Sequence, residues 1–538
     1  MVGRAGAGTP AGVPRRSDAA KPARMLGLTC AIPLLLAQES GAQANRPAAP
    51  PAFHPHVAAI VYEHCAACHR PGQAAPFPLL TYDDVRRRGR MIVKVTEQRT
   101  MPPWHPVEGH GEFAGEMRLT SEEIATLRAF VEAGMAEGDP ALGPPPPEFP
   151  TGWYLREPDL VVQTAEAFEV PASGPDIYRN FVIPLRLDED RYVTAIEVRP
   201  SARSVLHHVI FSFDTTGRAR ARDGKDGKPG FDGMGGEGGG LNGTAAVGGW
   251  AVGGLPRELP LGLARRVPKG ADLVLRCHFH PSGKVEREQT TLGLYFAKEP
   301  PTRSMIGLQL PPAFGAAAGL DLPPGSKDFA LRDEFVLPVD VLAVEVGGHA
   351  HYLCTQMQVW VTPPDGERRS IFWIEDWDFA WQNRYQYAEP MRLPVGTKVE
   401  VAITYDNSAD NPRNPHDPPR HVRFGLQSTD EMGSITLLLV PERERDAGTL
   451  QRAVQAHVRE HFAKGRGNLG FPLVSRAMML DRDGDGRIDE DEIPPRLRAQ
   501  VLRLDLDRDG AVDAAELEEV VQRLGSGRGV LRERGGRR

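Results

Sequence analysis

From Gly152 to about Glu442 the chain alternates short apolar runs with clusters of Gly, Pro and Asp. Runs such as Phe181-Val182-Ile183-Pro184-Leu185, Leu273-Val274-Leu275 and Leu342-Ala343-Val344-Glu345-Val346 have strand length and predict an all-β region of sandwich strands. Pro184 has no amide to donate, which predicts a sheet edge for the first of them. Upstream, Thr120-Ser121-Glu122-Glu123 is a capping box opening a helix with Ile124, Leu127, Phe130 and Val131 on one face. Downstream of Glu442 the period becomes helical again at Leu450, Val454, His457, Val458 and Phe462. Gly143-Pro144-Pro145-Pro146-Pro147 is a stiff spacer before the β-region. The glycine-rich stretch from Gly224 to Gly254 lacks the Lys-Ser/Thr ending of a phosphate cradle and is expected to be a flexible surface loop.

A chain of 538 residues exceeds one hydrophobic core, and its net charge of -7 predicts neither a nucleic-acid partner nor a polybasic membrane surface. Arg15, Arg16, Lys21 and Arg24 precede an apolar core from Met25 to Ala37 and a small-residue site at Ala42-Gln43-Ala44. This reads as an export signal over residues 1–44, with a periplasmic or extracellular mature protein. The stretch before the apolar core is long for a signal, which leaves a later translation start open. Outside the signal no stretch approaches the roughly 20 apolar residues a membrane span needs, so no transmembrane segment is expected in the mature chain.

Cys65-Ala66-Ala67-Cys68-His69 reads as a c-type haem attachment site, with two thiols for the vinyl groups and His69 for the iron. The flanking sequence resembles a small cytochrome c, which implies an all-α haem domain over residues 45–147. The sixth iron ligand is expected at Met101, because Pro102 and Pro103 would fix the loop that presents its thioether. Met91, Met117 and His110 are the alternatives. The capped helix after Thr120 is placed to cover the haem.

Three histidine groups and one methionine carry the remaining redox chemistry: His207-His208, His278 with His280 two residues on, His349-Ala350-His351, and Met432. A lone histidine in an apolar strand is more often a hydrogen-bonded core residue than a ligand. Adjacent histidines inside Leu206–Phe211 are costly to bury without partners. His349 and His351, at i and i+2 of a strand, share a face and can point at one ion. Imidazole with thioether suits a redox-cycling copper. The order His-His, His, His-x-His, Asp430-Glu431-Met432 resembles the copper type II, ascorbate-dependent monooxygenases over roughly residues 152–442. That resemblance implies two copper ions, one held by His207, His208 and His278, the other by His349, His351 and Met432 where O2 is used. It also implies two jelly-roll-like β-domains, at residues 148–300 and 301–445. His280 is a neighbour or a supporting group. Cys277 and Cys354, each near a ligand, form a disulfide or remain buried thiols.

The helical region at 446–525 carries two calcium loops. Asp481, Asp483, Asp485, Asp489 and Glu492 fall at EF-hand positions 1, 3, 5, 9 and 12, Gly486 at 6 and Arg487 at 7, where a backbone carbonyl serves. The pattern repeats in Asp505, Asp507, Asp509, Gly510, Ala511, Asp513 and Glu516. The loops begin 24 residues apart, Asp481 to Asp505, so one helix over about Glu492 to Leu504 is expected to serve both, as in dockerin-like modules. Calcium is expected to stabilise the fold or mediate docking. The basic tail at 526–538 is expected to be disordered.

The fold class that follows is multidomain: a small all-α cytochrome c domain, two all-β sandwich domains and a C-terminal α-helical EF-hand pair. With haem in cis, an external electron donor would reduce the haem, electrons would pass to the all-histidine copper and then to the methionine-bearing one, and O2 would hydroxylate a substrate C–H bond. The peptide-hydroxylating enzyme of the resembled family has an arginine two residues before its His-x-His, and Asn and Tyr two and four residues after its copper methionine. This chain has Gly347, Ser434 and Thr436. A peptidylglycine is therefore not expected; the substrate, small molecule or peptide-like, is unknown, and the pocket points to a small apolar or aromatic molecule. Two other classes stay open: a non-oxygenating haem and copper electron-transfer or copper-binding protein, and a calcium-dependent docking protein on a β-scaffold.

Overall fold

In a computed structural model the described residues are 50–71, 73, 75–149, 152–174, 176–232, 248–251, 254–260, 262–316, 318–425, 428–464, 480, 487–490, 492–493, 497–513, 516–517 and 520. The expected export signal, the basic tail, and the calcium-loop residues Asp481, Asp483 and Asp485 lie outside them. The secondary structure is mostly antiparallel β-sheet with a few helices.

Helices Ala58–His64, Tyr82–Glu97 and Ser121–Glu132 make up the N-terminal region. The last two start with reciprocal capping boxes, Thr81 with Asp84 and Thr120 with Glu123, each satisfying amides that a helix start leaves unpaired. Ile124, Leu127 and Phe130 point inward as their spacing predicts, joining Phe53, Val61, Val85 and Ile92 in one core.

A first sandwich follows. Its five-stranded sheet has the spatial order Phe231–Asp232, Ile177–Pro184, Asp272–Phe279, Leu206–Asp214, Gly248–Ala251. Its four-stranded sheet has the order Leu160–Gln163, Thr291–Phe296, Arg191–Arg199, Arg265–Val267. Phe181, Phe211 and Leu275 of one sheet meet Val193, Leu292 and Leu294 of the other in a shared core. Ile177–Pro184 pairs with Asp272–Phe279 along its whole length, but its other side meets a strand only at Arg179 and Asn180. Pro184 thus lies beyond the second partner, where a missing amide breaks no ladder. The glycine-rich stretch is not loose throughout: residues 233–247 lie outside the described set, but 224–232 are fastened by Arg179. That guanidinium, 1% exposed, donates to the Asp226 and Asp232 carboxylates and to the Lys228, Pro229 and Gly230 carbonyls.

The second sandwich packs the sheet Ile306–Leu310, Gly433–Pro441, Val341–Ala350, Arg384–Leu393 against Phe329–Val336, Lys398–Tyr405, Cys354–Thr362, Arg369–Ile374. Two outlying segments join its core. Phe113, from the N-terminal region, is buried there, and the Val107 amide donates to Trp373 O and the Ala114 amide to Gln386 O. Leu450 and Val454, on the helix Ala447–Lys464, also pack in this core. Cys277 lies in the first core and Cys354 in the second, and both are free buried thiols. The N-terminal helices, both sandwiches and the Ala447–Lys464 helix belong to one compact unit. Near the C-terminus the helix Arg498–Val501 lies within the expected 492–504 span, and Arg487–Asp489 pairs with Ala511–Asp513. No helix among the described residues is long and apolar enough to cross a membrane.

Candidate metal centres

Successive strand residues normally face opposite ways, so His207 and His208 need a local irregularity to share a site. The ladder to Asp272–Phe279 shifts register between Leu206 and His208, and the bulge turns both imidazoles toward His278, which pairs directly with His208. His207 Nδ1 is 3.2 Å and His278 Nδ1 3.3 Å from His208 Nδ1. Asp176, whose carboxylate can only accept, takes the Nε2–H of His278 at 2.8 Å, which leaves Nδ1 as that ring's lone-pair nitrogen. Ligands on a tetrahedron with metal bonds of 2.0–2.1 Å lie about 3.3 Å apart, so the spacing fits one ion. Burial, then the neighbouring His278 ring, lowers the His207 pKa to about 4 and that of His208 well below its usual value, keeping both neutral as ligands must be. His280 is exposed and its Nδ1 meets the other Asp176 oxygen at 2.8 Å, a place beside the cluster rather than in it.

His349 and His351 have ring centroids 5.4 Å apart. Each Nδ1 donates to an oxygen, His349 to Gln382 Oε1 at 2.6 Å and His351 to the Asp430 carbonyl at 3.2 Å, so Nε2 is the lone-pair nitrogen of each neutral ring. Desolvation lowers the His349 pKa to about 4, against the pull of Gln382. Met432, 5% exposed, lies one residue beyond the last paired position, Ala350 with Gly433. Glu431 ties the two segments: one carboxylate oxygen accepts from the amides of both His351, at 2.5 Å, and Met432, at 2.9 Å. A side chain at either flanking glycine would force a buried neighbour to move. A Cβ on Gly348 would stand 2.1 Å from Met357 Sδ, and one on Gly433 would stand 1.8 Å from the Tyr405 hydroxyl, which itself donates to Met432 O.

Phe379 stands between the two groups. Its ring centroid is 6.4 Å from His207, 6.3 Å from His278 and 5.7 Å from His351, and the residue is 7% exposed.

In the Cys65–His69 turn the two thiols are free, and burial followed by the Cys68 neighbour pushes Cys65 up to about 12. His69 Nδ1 donates to Phe77 O at 3.1 Å, again leaving Nε2 as the lone-pair nitrogen, the arrangement an axial iron ligand requires. Met101 is half-buried in the turn after the Tyr82–Glu97 helix, its amide on Val95 O. Of its alternatives, His110 packs edge-on against Trp373 of the second sandwich, and Met91 is 53% exposed. Arg70, next to the turn, lines one cavity with Arg199, Arg203 and Trp250 of the first sandwich. Arg203 precedes the histidine-bearing strand Leu206–Asp214 by three residues.

In the second calcium loop Asp505, Asp507 and Asp509 gather their carboxylates, and Glu516 folds back to accept from the Leu506, Asp507 and Asp513 amides. Ile488 and Val512, at position 8 of the two loops, pair directly, with Arg487 of the first loop ion-paired to Asp509 of the second. Glu492 accepts from the Asp489 amide at 3.0 Å.

The EF hand family matches residues 478–493 and 502–521, which supports calcium binding by these loops. Comparison with curated proteins finds no match. Among solved structures, the chain is similar to one described as PNGF-II in P21 space group, at 10% identity and a TM-score of 0.25 over 52% of this chain and 65% of that one. The infectious bursal disease virus VP2 subviral particle gives 10% identity and a TM-score of 0.17 over 55% and 75%. The chain spans less than two thirds of the first structure's length, and likeness at such TM-scores fixes neither fold nor function.

Sequence reasoning missed Asp176, Gln382 and Phe379, and saw Glu431 only as part of a motif. Each is a single residue of a common type in a loop, without periodic signal.

Proposed function

We propose that this chain is an exported, copper- and haem-containing monooxygenase-like oxidoreductase that hydroxylates a C–H bond of its substrate with O2. The observation that carries the reading is the pair of histidine groups, three Nδ1 atoms converging in one and two Nε2-presenting rings beside Met432 in the other, with Phe379 in contact with both. When bound, two coppers and a haem supply the redox chemistry: O2, two electrons and two protons turn a C–H bond into C–OH and one water. His207, His208 and His278 hold one ion; His349, His351 and Met432 hold the other. Asp176, Gln382 and the Asp430 carbonyl fix the ring tautomers, and Phe379 keeps water from the space between the groups. Cys65 and Cys68 would attach the haem, His69 would bind its iron, and Met101 is the other iron ligand proposed. The guanidinium groups of Arg70, Arg199 and Arg203, gathered in one cavity close to the Cys65–His69 turn, would offer cations to the haem's carboxylates. Gly347 and Thr436 face each other across the ladder, and the buried Ser434 hydroxyl accepts from Gln309, so these positions supply no cation for a carboxylate, which favours an apolar substrate.

The test is to mature the protein with haem, load copper, and follow reoxidation of the reduced haem by O2 in wild type, His207→Ala and Met432→Ala. Two coppers per haem with reoxidation slowed by either substitution is the expected result. Failure to bind copper, or reoxidation indifferent to both substitutions, overturns the proposal.

A further inference from the structure

A third group of metal-ligating side chains lies away from both histidine groups. Asp333 sits on the strand Phe329–Val336, facing His457 and His461 of the helix Ala447–Lys464. The two histidines are four residues apart and so share one helix face. His457 Nε2 lies 2.9 Å from Asp333 Oδ2, and His461 Nε2 lies 3.2 Å from Asp333 Oδ1. The ligand atoms of all three residues fall within 4.8 Å of one another. The side chains are only 6%, 12% and 22% exposed, in the order Asp333, His457, His461.

The hydrogen bonding matters more than the distances. His461 Nδ1 lies 3.2 Å from the His457 carbonyl, which can only accept, so Nδ1 carries the proton. A protonated His461 ring donates its Nε2–H to the carboxylate as an ion pair, whereas a neutral ring presents an Nε2 lone pair to it. In the neutral form two acceptors face each other, and a metal ion takes the place of the proton between them. Metal bonds of 2.0–2.1 Å in a tetrahedral site put ligand atoms about 3.3 Å apart, a few tenths of an ångström from what is seen.

We infer that Asp333, His457 and His461 form a third metal site, for a divalent first-row cation and best suited to Zn2+, that clamps the Ala447–Lys464 helix to the second sandwich. Two imidazoles and a carboxylate are a borderline donor set for Zn2+; no thioether or thiolate selects Cu(I), and one carboxylate is too few oxygens for calcium. With three protein ligands the fourth position would fall to water; the role inferred is structural because the ligands come from two elements, strand and helix, that the ion would tie together. Leu450 and Val454 bury the first half of the helix in the sandwich core, and the metal fixes the second half, from which the chain runs toward the calcium loops.

The experiment uses the full-length haem-matured protein, stripped by chelation and re-equilibrated with Zn2+ in calcium-containing buffer so that the EF-hand loops are filled. Metal mass spectrometry is expected to count one more zinc per chain in wild type than in His461→Gln or His457→Ala, and Zn2+ is expected to raise the Tm of wild type alone. Equal zinc counts in all three proteins overturn the site and leave an ion pair. Should the variants not fold, anomalous scattering at the zinc edge from zinc-soaked wild-type crystals decides: a peak among the three side chains supports the site, and its absence overturns it.

Discussion

Tyr178 reaches Ser428 across the two sandwiches, hydroxyl to hydroxyl at 2.5 Å, while its ring lies flat on His278 at 4.4 Å and 11°. One side chain therefore connects the first histidine group to the loop that delivers Met432. Tyr178→Phe keeps the stacked ring and removes one hydrogen bond, a loss of about 0.5–1.5 kcal/mol. Calorimetry should find a small fall in Tm with the copper count unchanged. Loss of copper in the Phe variant would mean that the hydroxyl, not the ring, positions His278.

Asp176 grips His278 and His280 at once, but only His278 belongs to the converging group. Carboxylates behind a ligating histidine typically contribute about 10–100-fold in metal affinity by fixing tautomer and orientation. Asp176→Ala should weaken copper binding by about that factor in a chelator competition, and His280→Ala should leave it unchanged. Equal losses in the two variants would make His280 a ligand.

How much of this was legible beforehand depended on whether a feature leaves a periodic trace. Strand-length runs gave the sandwiches, and Thr120 with Glu123 gave a helix start, because both signals are local. His349 and His351 were readable as a pair from strand geometry since i and i+2 share a face; His207 and His208 were paired only by adjacency and resemblance, since the bulge after Leu206 that unites them has no sequence mark. Asp176 and Gln382 lie 102 and 33 residues from the histidines they orient, and nothing in the chain links them. The burial of Phe113 in the second sandwich was hidden for the same reason, because backbone pairing across hundreds of residues imposes no composition. His457 was visible only as a helical position, although a histidine four residues ahead of His461 is itself a chelating spacing.

Glu431 is fully buried, and its two oxygens accept from the amides of His351, Met432, Leu353 and Cys354. Burial pushes its pKa up to about 8 while the four amides pull it down. Glu431→Gln preserves the shape but sets an NH2 against amide donors. Each orphaned buried donor costs about 1–3 kcal/mol, so two predict a loss of about 2–6 kcal/mol in urea unfolding. A variant as stable as wild type would show that the carboxyl is protonated and already donating.

Calcium should act locally. The paired loops touch each other through Ile488 and Val512, and a small core of Ile488, Ile493, Val512 and Leu517 is separate from the cores of the sandwiches. Chelation with EGTA is expected to open residues 478–521 to limited proteolysis while the main unfolding transition of the sandwiches keeps its Tm. A single transition that shifts as a whole with calcium would tie the loops to the rest of the chain.

Phe379 gives the sharpest test of whether the two histidine groups work together. Its ring touches Tyr352 at 4.6 Å and lies within 6.4 Å of His207 and 5.7 Å of His351, so it is the packing between the groups as well as part of the wall of each. Removing a buried phenyl ring typically costs about 3–5 kcal/mol, less where water can enter the space. Phe379→Leu refills much of the volume, so its Tm and haem reoxidation rate should stay close to wild type. Phe379→Ala should keep both coppers, since no ligand is lost, yet slow reoxidation because water replaces packed matter between the sites. If the alanine variant reoxidises as fast as wild type while its Tm falls, the ring is a structural filler and electrons do not depend on the space it occupies.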